Sequence, residues 1–375
     1  MKIAYCLNSI QEIGGISSVT VNKANALALK GHEVFVIVTD HEGEKGDKLL
    51  KKVHLIDLEI KYYKDDWKSK FHVIKGIIIK RRIHKIKLSK ILKEISPDIV
   101  ISVGQSEKYL LPEIKGNWKK IREFHYDKFY RLRAANNVLQ KIGAHLINIY
   151  DFNLKIKKYD KVIVLTKEDK YTNWGKNKNV INIPNPITVL SSNLSTLSSG
   201  KFVAVGRLVD QKNFKSLIEA FRIALKSYPN WILEIYGEGI LKDELQKQII
   251  TNKLSKNIFI RGNSLDHNAI YGNASAFVMT SIYEGFPLVL LEAMAYGLPV
   301  IAYECPCGPK DIIVDGFNGY LVPVNNELLM AKKIIQLMGN NDLRKIMGLN
   351  AKLKSEDYRI DNIIKQWLDL FYNLL

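Results

Sequence analysis

Ser281-Ile282-Tyr283-Glu284-Gly285-Phe286-Pro287-Leu288-Val289-Leu290-Leu291-Glu292 sets two carboxylates eight residues apart, one ahead of a helix start and one inside the helix. The preceding run Ala276-Phe277-Val278-Met279-Thr280-Ser281 reads as a buried strand. Gly285 permits a sharp turn, and Pro287 suits the first helical position, where no backbone donor is needed. Amides at such a helix start lack intrahelical partners and lie at the positive end of the helix dipole, so they suit an anion. At 1.5 Å per residue, Glu292 lies roughly 7–8 Å up the helix and reaches a different part of a bound molecule from Glu284. Two glutamates beside a helix are, by themselves, an ordinary solvated face.

Two neighbouring stretches change that reading. The strand Lys201-Phe202-Val203-Ala204-Val205-Gly206 runs into Arg207, and Leu208-Val209-Asp210-Gln211-Lys212-Asn213 leads on into a helix. Arg207, with its planar fork, and Lys212, a point charge, form a diphosphate clamp at a strand-to-helix turn. After Trp231-Ile232-Leu233-Glu234-Ile235, the turn Tyr236-Gly237-Glu238-Gly239 puts glycines where a ligand can approach the backbone closely. Three successive strand-to-turn units thus point at one sheet edge.

With these residues the second half resembles the C-terminal domain of family 4 retaining glycosyltransferases of the GT-B fold. The resemblance covers nearly the whole chain and is most specific between Gly206 and Leu321. It implies that Arg207 and Lys212 hold the donor diphosphate, Glu284 the sugar hydroxyls and Glu292 the ribose hydroxyls. Backbone amides around Gly285, Phe286 and Leu288 would complete the donor site, with Gly237 beside it. Cys305-Pro306-Cys307-Gly308-Pro309-Lys310-Asp311-Ile312-Ile313 and Asp315-Gly316-Phe317-Asn318-Gly319-Tyr320-Leu321 are similar to the loop and strand that close this domain in bacterial members.

Length and composition agree with the architecture. A chain of 375 residues suits two domains, and 47% hydrophobic with 25% charged residues is globular composition. Alternating apolar runs and amphipathic stretches predict parallel sheets covered by helices, an α/β chain of two Rossmann-like domains. Strands are expected at 2–8, 33–39, 53–58, 98–103, 119–125, 161–166 and 180–184, then at 201–206, 231–236, 257–261, 276–281, 299–303 and 319–322. The expected organisation is an acceptor-binding domain over 1–186 and a linker over 187–200, rich in Ser, Thr and Asn. A nucleotide-sugar domain over 201–355 follows. By the resemblance, a last helix over 356–375 crosses back to the first domain and the two sheets face a cleft.

In the first half, Gly14-Gly15 follows the first strand and opens a helix. This is an ordinary turn signal, which the family pattern places near the donor phosphate at Gly15. His125, within Arg122-Glu123-Phe124-His125-Tyr126-Asp127, stands at the C-terminal end of a predicted strand, where ligands gather in open α/β sheets. The resemblance gives His125 an active-site role near the reacting sugar, with Asp127 a weaker candidate for acceptor contact. Asn185 matches a family position commonly followed by glycine, but Pro186 departs from that pattern.

Three cysteines, Cys6, Cys305 and Cys307, are too few and too odd for a disulfide framework and read as structural thiols of a reducing cytoplasm. Cys-x-Cys without histidine or a second pair is not a metal signature. No Asp-x-Asp motif occurs, so no metal or cofactor is expected, and the donor enters as co-substrate.

Charge is uneven. Residues 1–185 carry 36 Lys plus Arg against 20 Asp plus Glu, a net +16, whereas 186–375 carry a net +2. Between Lys61 and Lys93 there are 12 basic residues against Asp65 and Asp66, and Trp67, Phe71, Ile74 and Ile78 recur at helical spacing. Such a segment either packs its stripe into its own domain or meets an anionic membrane surface with its cationic face. Nucleic acid is not expected, because no motif for it accompanies the charge. Apolar clusters such as Ile77-Ile78-Ile79 are far short of the roughly 20 residues that span a bilayer, and no signal peptide is read at the start.

The expected function is transfer of a sugar, UDP-linked by the resemblance, to a saccharide or lipid-linked saccharide acceptor, with retention. The setting is surface-polysaccharide assembly (capsule, lipopolysaccharide) at the cytoplasmic face of the membrane. A sugar-nucleotide epimerase of the same architecture and a non-catalytic membrane scaffold are the alternatives.

Overall fold

The computed structural model describes residues 1–10, 15–41, 49–62, 70–187, 189 and 194–375, with backbone alone for 70–75. The expected positions of Gly14, Trp67, the side chains of Phe71 and Ile74, and part of the linker lie outside the described residues.

Seven strands form the first sheet: β1 Lys2–Leu7, β2 Glu33–Val38, β3 Val53–Asp57, β4 Ile99–Ser102, β5 Lys119–Glu123, β6 Lys161–Val164 and β7 Val180–Asn182. Their order is β3-β2-β1-β4-β5-β6-β7, every pairing is parallel, and the strand order reverses beside β1. Six more form the second sheet: β8 Lys201–Val205, β9 Ile232–Tyr236, β10 Ile258–Gly262, β11 Ala276–Met279, β12 Val300–Tyr303 and β13 Gly319–Val322. They run β10-β9-β8-β11-β12-β13, again all parallel, with the reversal beside β8. Every strand falls within or beside an expected range, although β5, Lys-Lys-Ile-Arg-Glu, has no apolar run of its own. Buried on both faces, parallel strands carry nearly continuous apolar sequence, which makes them legible.

The chain divides into two compact units. One comprises Met1–Leu165, Trp174–Pro186 and Ile360–Leu375, the other Thr166–Asn173 and Ile187–Arg359. In the first, Ile3, Tyr5, Val34, Val36, Ile99 and Ile121 pack with Leu27 of the helix Gly15–Leu29 and with Ile363, Ile364, Trp367 and Phe371 of the helix Ile360–Tyr372. In the second, Phe202, Leu233, Ile235 and Val278 pack against Leu217, Phe221, Ile334 and Leu337 from two covering helices. Each fully buried side chain of this size contributes roughly 1.5–3 kcal/mol by leaving water.

The helix Lys70–Ile95 turns His84, Leu88, Leu92 and Ile95 inward, four positions at helical spacing. Ile78, expected on the apolar stripe, is half exposed, because the face that packs lies on the other register. Among the described residues, no helix is long and apolar enough to cross a membrane.

Candidate active site

In open parallel sheets, ligands bind beyond the carboxyl ends of the strands, where the order reverses. In the second unit that edge collects Arg207 after β8, Gly237 after β9 and Glu284 after β11, on three adjacent strands. Gly237 has φ +150°, and a Cβ there would lie 1.9 Å from the Gly206 oxygen, so only glycine lets the two turns meet. Gly206 in turn faces the Lys212 stem, with a built Cβ 3.2 Å from Cδ and Cε, so the lysine lies along the strand end.

That course carries the Lys212 ammonium to Glu284, where Nζ donates to Oε1 at 2.6 Å. Glu284 is buried, and the pair is mostly shielded from water. Gln211 staples the two loops together: its carbonyl accepts from the Ile282 amide and its Nε2 donates to the Tyr283 carbonyl, both at 2.9 Å. Thr280 Oγ1 donates to the Lys212 and Asn213 carbonyls at 3.0 and 3.1 Å, fixing the backbone that bears the lysine. Arg207 is exposed, and among the described residues its guanidinium has no ion pair.

The helix Leu288–Ala295 starts after Pro287, which is its N-cap rather than its first turn. Leu288 N donates to Phe286 O at 3.0 Å in a tight turn, and Glu284 N donates to Pro306 O at 3.2 Å. The amides of Gly285, Phe286 and Val289 have no partner among the described residues, so they supply the donors of this helix start. Glu292 lies one turn up, accepting from the hydroxyl of fully buried Tyr271 at 2.9 Å, with His267 Nδ1 at 3.9 Å. Cys305 and Cys307 are buried and in no disulfide, and burial pushes the Cys305 thiol far up, so it stays protonated.

The first unit presents a second polar edge. His125 follows β5, with Nε2 3.2 Å from Glu123 Oε1. The same carboxylate is bonded by Lys23 from the helix Gly15–Leu29, and Lys23, Glu123 and His125 are all buried. Burial alone would raise Glu123, but Lys23 and His125 beside it hold the carboxyl down to about 2. Burial pushes His125 below its usual range, with Glu123 beside it pulling the other way. Lys23 is lowered by the same burial, yet its contact with the carboxylate keeps the pair ionised. Gly15 begins its helix at the end of β1 and is exposed. Nearby, a Cβ on Gly104 would lie 2.7 Å from Asn8 Oδ1 and Glu107 Oε2, so the backbone after β4 is closely approached.

Asp127 is held by Arg133 Nε and by the Phe129 amide, a local turn. Asn185 is buried, its Oδ1 without a partner among the described residues. Sequence reasoning did not find Lys23, Gln211 or Tyr271. A lysine within a helix ordinarily reads as solvated, and its partner is 100 residues away.

Two parallel α/β units with cations, carboxylates and close-packed glycines at a sheet edge make the GT-B class of sugar-transferring enzymes. Comparison with known proteins agrees: the model of the family Glycosyl transferases group 1 matches residues 192–354. An uncharacterized glycosyltransferase of Haemophilus influenzae is 30% identical over 372 residues, 98% of each chain. A Campylobacter jejuni protein named GalNAc-alpha-(1->4)-GalNAc-alpha-(1->3)-diNAcBac-PP-undecaprenol alpha-1,4-N-acetyl-D-galactosaminyltransferase is 26% identical, over 99% of this chain and 98% of its own. The crystal structure of an S. aureus TarM mutant in complex with Fondaparinux, alpha-GlcNAc-glycerol and UDP superposes with a TM-score of 0.78 at 19% identity, over 99% of each chain. The chain belongs to the glycosyl transferases group 1 family and is a glycosyltransferase.

Proposed function

We propose that the enzyme moves a sugar from a UDP-linked donor to a lipid-linked saccharide, with retention at the anomeric carbon, during assembly of a surface polysaccharide. The observation that carries this reading is the Lys212–Glu284 pair beside open backbone amides and an unpaired Arg207 at one sheet edge. The UDP of the TarM complex and the undecaprenol acceptor in the Campylobacter relative's name support the choice of donor and acceptor class.

In this reading Arg207 and Lys212 take the diphosphate, and the Gly285 and Phe286 amides add donors at the positive helix end. Glu284 takes the sugar hydroxyls and Glu292 the ribose hydroxyls. Gly15 and His125 act from the first unit, the glycine toward the donor phosphate and the histidine near the reacting sugar. The bond from the anomeric carbon to the diphosphate oxygen breaks as the acceptor oxygen attacks on the same face, and the leaving phosphate oxygen receives the acceptor proton. No covalent enzyme intermediate is required. The protein's main contribution is to stabilise the departing charge with fixed cations and dipoles, so no metal is needed. The basic stretch of residues 1–185, net +16, keeps the enzyme at an anionic membrane surface on the cytoplasmic side.

A panel of UDP-, GDP- and ADP-sugars, with EDTA present, tests the donor site by thermal shift and slow donor hydrolysis. UDP-sugars should stabilise the protein, and Glu292→Gln, which still offers Tyr271 an acceptor oxygen, should lose that response. Arg207→Ala should lower turnover about 10²-fold or more. Near-normal turnover in Arg207→Ala would overturn the reading.

A further inference from the structure

The helix Val138–Ile149 is built inside out. Of its residues only Ala144 and Asn148 are buried, whereas Leu139 is 81% exposed, Leu146 62% and Ile142 54%. Leu139, Ile142, Leu146 and Ile149 recur every three or four residues and so share one face, the face an amphipathic helix ordinarily turns inward. The run continues through a π-helical turn, Tyr150–Lys155, which buries Asp151 and Phe152 and leaves Leu154 58% exposed.

Polar contacts lock this orientation. Arg131 donates to Asn148 Oδ1 at 2.9 Å and pairs with Asp151 at 2.8 Å, so the inward side of the run is pinned by buried hydrogen bonds. Asn137 caps the helix start by accepting from the Gln140 amide at 2.9 Å. The leucine and isoleucine row therefore faces water by construction.

Charge selects the occupant. From Lys128 to Lys158 the sequence holds seven Lys and Arg but one acidic residue, the buried Asp151. Lys141, Lys157 and Lys158 of the same run are exposed. Glu113 accepts from Lys85 at 3.0 Å and from Lys155 at 2.9 Å, so the end of this run borders the cationic helix Lys70–Ile95. That helix exposes Ile79, Ile83 and Ile86 together with Arg81 and Arg82. A second copy of the chain would oppose like charges, whereas an anionic bilayer offers phosphates to the lysines and acyl chains to the apolar row.

We propose that the helix Val138–Ile149 lies in the interface of an anionic lipid bilayer with its leucine and isoleucine row below the headgroups. Lys141, Lys157, Lys158 and the helix Lys70–Ile95 then rest against the lipid phosphates. The inference deepens the membrane contact of the proposed function by naming the inserting element, and it does not involve the donor site.

The test is co-sedimentation of the full chain with phosphatidylglycerol/phosphatidylethanolamine vesicles and with phosphatidylcholine vesicles. The protein should sediment with the first and not the second. Leu139→Glu with Leu146→Glu should lower the bound fraction's partition coefficient about tenfold or more, with unchanged Tm and an unchanged thermal response to UDP. A double variant that sediments like the parent overturns the inference. If only Arg81→Glu with Arg82→Glu releases the protein, the contact is electrostatic through the other helix, and insertion falls while the proposed membrane contact stands. If the parent binds neither vesicle, both membrane statements fall, and the donor response still judges the transferase reading. A parent that is dimeric, with Leu139→Glu and Leu146→Glu making it monomeric and leaving vesicle binding intact, makes the row a self-association face and also overturns the inference.

Discussion

Lys212 Nζ lies 2.6 Å from Glu284 Oε1, so the cation assigned to the diphosphate is already neutralised by the carboxylate assigned to the sugar. An incoming diphosphate must compete with Glu284 for that ammonium. Glu284→Gln removes the competitor's charge but keeps its shape. UDP alone should then bind at least about fivefold tighter, since even an exposed pair is worth up to about 1 kcal/mol and this one is shielded from water. Sugar transfer or donor hydrolysis should fall about 10²-fold in the same variant. Titration calorimetry with UDP and a turnover assay separate the two effects; UDP binding that weakens instead would mean the pair holds the nucleotide as one unit.

Acid sensitivity should trace to Glu123. Its carboxyl is held at about 2 in the folded protein, against an ordinary value of 4.5, because Lys23 and His125 outweigh the effect of burial. The unfolded chain therefore binds more protons than the folded one between these values. The stabilisation is fully present above 4.5 and is lost as pH falls toward 2. Tm followed from pH 7 to pH 2 should decline mainly below about pH 5. Lys23→Met strands the buried carboxylate, so it should cost about 3–5 kcal/mol at neutral pH, and because burial then raises Glu123 that loss should shrink as pH falls. An unchanged Tm in Lys23→Met would exclude the ion pair as a structural support.

Gly237 offers a sharper probe of the strand ends. With φ +150° and a built Cβ 1.9 Å from the Gly206 oxygen, alanine there must push the turn that carries Arg207. Gly237→Ala should lose about 1–3 kcal/mol of stability and also blunt the thermal response to UDP. Gly316→Ala is the control: it shares the positive φ, but nothing lies within 4 Å of its built Cβ. It should lose some stability and keep its nucleotide response.

The strands among the described residues were legible because most are short, apolar and bounded by turn residues, the charged β5, Lys-Lys-Ile-Arg-Glu, being the exception. Arg207, Lys212, Gly237 and Glu284 were legible as a set because each follows a strand end, and the parallel topology brings those ends to one edge. Contacts between distant parts of the chain were not. Lys23 lies on a helix face that periodicity cannot distinguish from solvent, and its partner Glu123 belongs to another strand-helix unit. The Tyr271 hydroxyl on Glu292 has no sequence signal either, since a buried tyrosine looks like any aromatic core residue. The helix Val138–Ile149 shows the converse limit: its amphipathic pattern is plain, but which face turns inward is decided by Arg131, Asn148 and Asp151.

The two units are interleaved along the chain, and this has a consequence during synthesis. Trp367, Ile363, Ile364 and Phe371 fill the core of a unit whose first strand starts at Lys2. A polypeptide leaving the ribosome exposes β1 early, yet these side chains of its sheet's core are translated only after the whole second unit. The second unit, which apart from Thr166–Asn173 is one uninterrupted stretch from Ile187 to Arg359, has all its residues available sooner. Vectorial folding is thus reversed here: the half made first must wait, with part of its apolar interior uncovered, until the helix Ile360–Tyr372 has been made.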